Sequence, residues 1–155
     1  MPKIFHLNEL LTFAVEREKM SFDLYTKLAE QTSDAELKAL FERLAKEEIK
    51  HEAFYQELLN VENREQNAAV PQDEEYHAYM ETLIEQERTS SKQLPKDFKN
   101  LKAVLDYAIA REQDAILFYV GLKNYVPTKA HEKVDRIIKE EMRHAAILEK
   151  VKTNY

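Results

Sequence analysis

The chain has 155 residues, 34% of them charged and 44% apolar, with one glycine, four prolines and no tryptophan, a composition that favours helices over sheet. Its net charge of −6 gives a nucleic-acid partner no electrostatic support, and the absence of cysteine excludes disulfides, thiolate metal sites and thiol redox chemistry. The opening MPKIFHLNEL has no basic region followed by an apolar core, and no apolar run approaches the ~20 residues of a membrane span, so the expectation is one soluble, cytoplasmic domain spanning the whole chain, with no membrane partner.

Apolar residues at helical spacing predict a first helix over about residues 7–30. A turn follows at 31–34, where Ser33 is the predicted N-cap of a second helix and Glu36 completes a capping box. That helix extends to about residue 61, and the polar stretch 63–71, ending in Pro71, stops it. Tyr76, Met80, Leu83 and Ile84 mark a short amphipathic helix, followed by a loop at 89–96. A third long helix covers about 98–125 and is broken at Val126, Pro127 and Thr128; the fourth, capped by Thr128, covers about 129–151. The pattern is two helical hairpins, about 7–61 and about 98–152, joined by a crossover over about 62–97. A connection of that length lets a four-helix bundle bring its second hairpin alongside the first, so the predicted class is all-α.

The hairpins repeat one another. A shift of 94 residues places Leu7, Leu11, Ala14, Arg17, Glu18, Tyr25 and Leu28 on identical residues at 101, 105, 108, 111, 112, 119 and 122. A shift of 93 places Arg43, Lys46, Glu47, Glu48, His51 and Ala53 on Arg136, Lys139, Glu140, Glu141, His144 and Ala146. Alternating steps of four and three trace an apolar seam along each long helix, and every seam is interrupted by a glutamate: Glu18, Glu48, Glu112 and Glu141. In the second and fourth helices a histidine, His51 or His144, follows one turn later on the same face.

A single glutamate or histidine on an apolar face is ordinarily a snorkelling or satisfied side chain. Four carboxylates in one core are a different matter, because uncompensated buried charge costs several kcal/mol per ion and no seam position supplies a lysine or arginine. Two divalent cations would cancel the four charges. Carboxylate oxygens with imidazole nitrogens suit iron or manganese, whereas zinc prefers four ligands and calcium prefers oxygen alone. The Glu-x-x-His motif by itself is weak: Glu74 and His77 copy it in the crossover without a repeat counterpart, and both are expected at the surface. His6 and His131 are given no role, and the only glycine, Gly121, replaces Lys27 of the first repeat.

One glutamate from each of two helices and a Glu-x-x-His from each of the other two is the ligand pattern of ferritin-like di-iron carboxylate bundles. On Glu18 with Tyr25, Glu48 with His51, Glu112 with Tyr119 and Glu141 with His144, the chain resembles the rubrerythrin and erythrin group of that superfamily, over nearly its whole length apart from the crossover. The resemblance implies a ferritin-like four-helix bundle with two iron ions bridged by Glu48 and Glu141. Glu18 and His51 would be terminal ligands of one iron, and Glu112 and His144 of the other. Tyr25 and Tyr119 look like the family's tyrosines that hydrogen-bond to carboxylate ligands. It also implies a homodimer and an oxidoreductase that reduces hydrogen peroxide, or dioxygen, at a di-iron centre. Typical members append a four-cysteine rubredoxin iron site; lacking cysteine, this chain would need an external electron donor such as a rubredoxin-like protein. They also carry an extra glutamate one turn after the third-helix ligand, where this chain has Ala115, and Ser21 in the first repeat. Only eleven residues follow His144, too few for the fifth helix of a ferritin cage, so storage in a shell is not expected. A ferroxidase that oxidises Fe(II) with dioxygen is the runner-up, and a non-enzymatic metal-binding or sensing bundle is the third reading. Recycling by a reductant separates the first from the second, and absence of redox turnover marks the third.

Overall fold

Apolar side chains recurring every three or four residues bury one stripe of each helix, and the computed structural model, which describes residues 6–65, 73–91 and 93–154, is built from such helices. They are α1 (Leu7–Gln31), α2 (Ala35–Glu65), α3 (Glu74–Ser91), α4 (Leu101–Leu122) and α5 (His131–Asn154), with a 3-10 turn at Thr128–Ala130 and no strand among the described residues. The fold is all-α. No helix of the described residues is long and apolar enough to cross a membrane. The helices fall into two compact units, one holding α1 and α2, the other α3, α4 and α5.

In the first unit α1 and α2 pack as a hairpin around Leu10, Leu11, Phe41 and Leu44, all fully buried. Burial of side chains this size stabilises by about 1.5–3 kcal/mol each. The tight turn is set by Asp34, whose Oδ1 accepts the amide protons of Glu36 at 3.0 Å and Leu37 at 3.1 Å. The predicted cap, Ser33, lies one residue too early: a carboxylate at Asp34 satisfies two orphan amides and meets the positive end of the helix dipole. The second helix also outruns its predicted end. Residues 63–65 of the supposed break are helical, while 66–71 lie outside the described residues.

In the second unit α4 pairs with α5, and α3 lies on α4. Asn100 caps α4 by accepting from the Ala103 amide at 3.2 Å, so the helix opens three residues later than predicted and closes at Leu122. Thr128 is not a helix cap: it opens the 3-10 turn after Pro127, whose ψ of 147° breaks the helical path, and α5 follows at His131. The crossover helix has 18 residues, more than the short element expected, and its capping residue is Asp73, which accepts from Glu75 at 2.9 Å and Tyr76 at 3.2 Å. It uses up the first part of the loop predicted at 89–96, whose residue 92 lies outside the described residues. The seams hold, with only Leu58 and Leu101 half-buried at their ends.

His77 corrects a sequence expectation. It is not a surface residue: it is 1% exposed, and its Nδ1 lies 2.9 Å from the Tyr125 hydroxyl, while Glu74 is exposed as expected. Period three and four spacing places His77 with Met80 and Ile84 on the apolar face of α3, and a polar residue on that face is tolerated because Tyr125 satisfies it. Gly121 has a reason as well. A Cβ there would overlap Sδ of Met80, so the missing side chain makes room for the buried Met80 thioether of α3 against α4. Gly121→Val will destabilise the metal-free chain by about 1–3 kcal/mol through overpacking, and Met80→Ala in the same chain will recover part of that loss. Urea unfolding of the two variants checks it, and an unchanged midpoint for Gly121→Val removes the close-approach account.

Candidate metal centre

Each hairpin carries one buried glutamate on its first helix and a buried Glu-x-x-His on its second. In the first, α1 presents Glu18, and α2 presents Glu48 with His51 three residues on, one turn along the same face. All three are 2% exposed or less. Their ligand atoms lie within 4.8 Å of one another, and His51 Nδ1 is 3.7 Å from a Glu18 oxygen and 3.9 Å from a Glu48 oxygen. The second hairpin repeats this. Glu112 of α4 and Glu141 and His144 of α5 are equally buried and equally convergent, with His144 Nδ1 at 3.8 Å from Glu112 and 3.9 Å from Glu141. All six residues expected from the sequence as ligands are therefore in the interior, three in each hairpin.

These spacings test whether a metal fits. Nitrogen–oxygen separations of 3.7–3.9 Å are too long for a hydrogen bond. They are shorter than about 4.2 Å, twice a typical metal–ligand bond of ~2.1 Å, so in each set one ion can touch the imidazole and either carboxylate together. The donors, hard oxygens plus one imidazole nitrogen, are those of iron and manganese. In both sets Nδ1 is the nitrogen that faces the carboxylates. The residues present fit the group.

Electrostatics around the first set favour the ionised form. Burial alone would raise the Glu18 carboxyl, but the polar side chains of Glu48 and His51 beside it, with the positive charges of His51 and Arg17, outweigh it and hold the group down at about 2. Arg17 is itself 1% exposed, and its repeat counterpart Arg111, beside Glu112, is 5% exposed. Reading seam positions alone missed both arginines, since each lies one residue off the seam. The signal was present in the repeat, where Arg17 and Arg111 are among the identical pairs. Tyr25 and Tyr119 are buried two turns beyond Glu18 and Glu112, and Ser21 and Ala115 are buried one turn beyond them, leaving no further carboxylate there. Neither Glu74 nor His77 joins a group of three or more convergent ligands among the described residues.

The sequence profile of the rubrerythrin family matches residues 9–152. No curated protein sequence matches the chain significantly. A crystal structure from Thermotoga maritima, proposed to be that of a ferritin-like diiron-carboxylate protein, superposes with a TM-score of 0.73 at 25% sequence identity, covering 99% of this chain and 98% of that one. Its fold agrees with the all-α architecture described above, and the profile match takes in all six buried glutamates and histidines of the two hairpins. The chain belongs to the rubrerythrin family.

Proposed function

We propose that the two Glu–Glu–His sets hold two iron ions as one dinuclear centre within a single ferritin-like domain. In this reading the chain reduces hydrogen peroxide, or dioxygen, with electrons from an external protein donor. The observation that carries it is the convergence, twice over, of buried carboxylate oxygens on an imidazole nitrogen at separations a metal ion can span but a hydrogen bond cannot. Glu18, Glu48 and His51 would hold one ion, and Glu112, Glu141 and His144 the other. Bound iron would supply one electron per ion to the O–O bond, and H2O2 with two electrons and two protons yields two waters. The residues' own work is to present oxygen donors whose ionised state is already favoured, as at Glu18, and to exclude bulk water from the reacting atoms. Tyr25 and Tyr119 are proposed to hydrogen-bond to carboxylate ligands and keep them oriented.

The test is single-turnover oxidation of the anaerobically Fe(II)-loaded protein by peroxide and by dioxygen, followed by addition of a reduced rubredoxin-like protein. Faster oxidation by peroxide and re-reduction by the donor are the expected results. Oxidation by dioxygen with release of Fe(III) and no re-reduction would instead make the chain a ferroxidase. The crossover motif supplies a control. Glu74→Gln will leave two metal ions per chain, whereas His51→Ala will lower metal content, as read by elemental analysis of the purified variants. Equal losses from both would mean the wrong Glu-x-x-His has been chosen.

A further inference from the structure

The crossover helix is fastened at two separated places, one at the end of α4 and the turn that follows it and one within α4. Near its start, His77 Nδ1 meets the Tyr125 hydroxyl at 2.9 Å, and the Tyr76 hydroxyl donates to the Gly121 carbonyl at 3.1 Å and receives a hydrogen bond from Asn124. Burial pushes the Tyr125 phenol up to about 12, so it stays protonated and able to donate. Near its end, the carbonyl of Glu87 accepts from Arg111 Nη1 at 3.2 Å in a buried position. Arg111 immediately precedes Glu112. Successive residues project about 100° apart around a helix, so a guanidinium tied to α3 fixes how far α4 can turn and hence where the Glu112 carboxylate points. Site residues need to be held to about 10–20° of the working geometry, which a helix fastened at one end only would not guarantee.

The first repeat lacks this arrangement. Its counterparts of Gly121, Asn124 and Tyr125 are Lys27, Glu30 and Gln31, which provide neither the gap for Met80 nor the phenol for His77. Arg17 is retained, but the residues that seat a third helix are not. We propose that α3 is a strap that positions the Glu112–Glu141–His144 set through Arg111, seated by residues that have no counterpart in the sequence of the first repeat. The inference rests on the metal centre proposed above. Arg111 is here a positioning residue, and the two metal ions of the intact chain respond differently when the strap is released.

Anaerobic titration of the full chain with Co(II), followed by visible absorbance, tests this, with amide hydrogen exchange reporting whether α3 has been freed. In His77→Leu/Tyr125→Phe, one of the two Co(II) equivalents will bind roughly tenfold more weakly or worse, the range typical of lost supporting contacts, while the other stays within about twofold. The weakened equivalent will be missing from Glu112→Ala and present in Glu18→Ala. Arg111→Met, which cuts the second fastening directly, will give the same selective loss, and Arg111→Lys will restore part of it. That pair keeps the test alive where the double variant fails to fold or leaves α3 in place. Equal weakening of both equivalents, or no change in either once exchange has shown α3 to be free, overturns the strap. A wild-type chain that takes up fewer than two equivalents overturns the metal-centre reading itself, and the strap with it.

Discussion

Loading the chain with two divalent ions is expected to raise its melting temperature by about 10–20 °C. Glu48, Glu112 and Glu141 are each 2% exposed or less, and the desolvation that burial imposes on carboxylates weighs on the metal-free folded state, whereas Glu18 is already held ionised by its neighbours. A ligand that binds only the folded chain stabilises it by about 2.7 kcal/mol per site at a hundredfold excess over Kd. Two sites give about 5 kcal/mol, and for a domain of this length each kcal/mol is worth about 2–4 °C. Differential scanning calorimetry with and without Mn(II) or anaerobic Fe(II) measures the shift, and His51→Ala/His144→Ala should abolish it. A shift of only a degree or two, from a chain that retains at most one ion, is incompatible with a dinuclear centre.

How much of this was readable beforehand depended on the kind of signal. The six candidate ligands were legible because they break an apolar seam at repeated positions: a glutamate recurs in the same place on four helices, and a histidine one turn later on two of them. The all-α class followed from composition and period alone. Local details depended on competition between neighbours: Asp34 displaced Ser33 as cap because a carboxylate satisfies two amides, and Thr128 lost its predicted role to a 3-10 turn. The crossover was least legible. His77 reads as a stray surface histidine until Tyr125, 48 residues away, supplies its partner. Gly121 has no explanation until Met80 is opposite it. Both are tertiary facts without local period. Arg17 and Arg111 stand between these cases, visible in the duplication yet one residue off the apolar seam, where a charged residue is ordinarily solvated.

Near-equality of the two half-sites leads to the second large effect. Glu18→Ala and Glu112→Ala should each lower peroxide turnover by roughly 100-fold or more, about 2.7 kcal/mol of barrier, and by amounts within roughly tenfold, or ~1.4 kcal/mol, of one another. Geometry supports the equality: the imidazole lies 3.7 Å from Glu18 and 3.9 Å from Glu48 in one set, and 3.8 Å from Glu112 and 3.9 Å from Glu141 in the other. Ser21 and Ala115 occupy the corresponding positions one turn on, so neither set has a spare carboxylate to replace the one removed. The strap does not upset this expectation, because it governs how firmly a set is held, whereas deleting a terminal carboxylate removes a donor outright. Steady-state peroxide reduction at saturating iron, with metal content determined for each variant, makes the comparison. If one variant keeps near-normal turnover with two ions bound while the other is dead, the sets are not equivalent, and a ligand from outside the repeat must serve one of the ions.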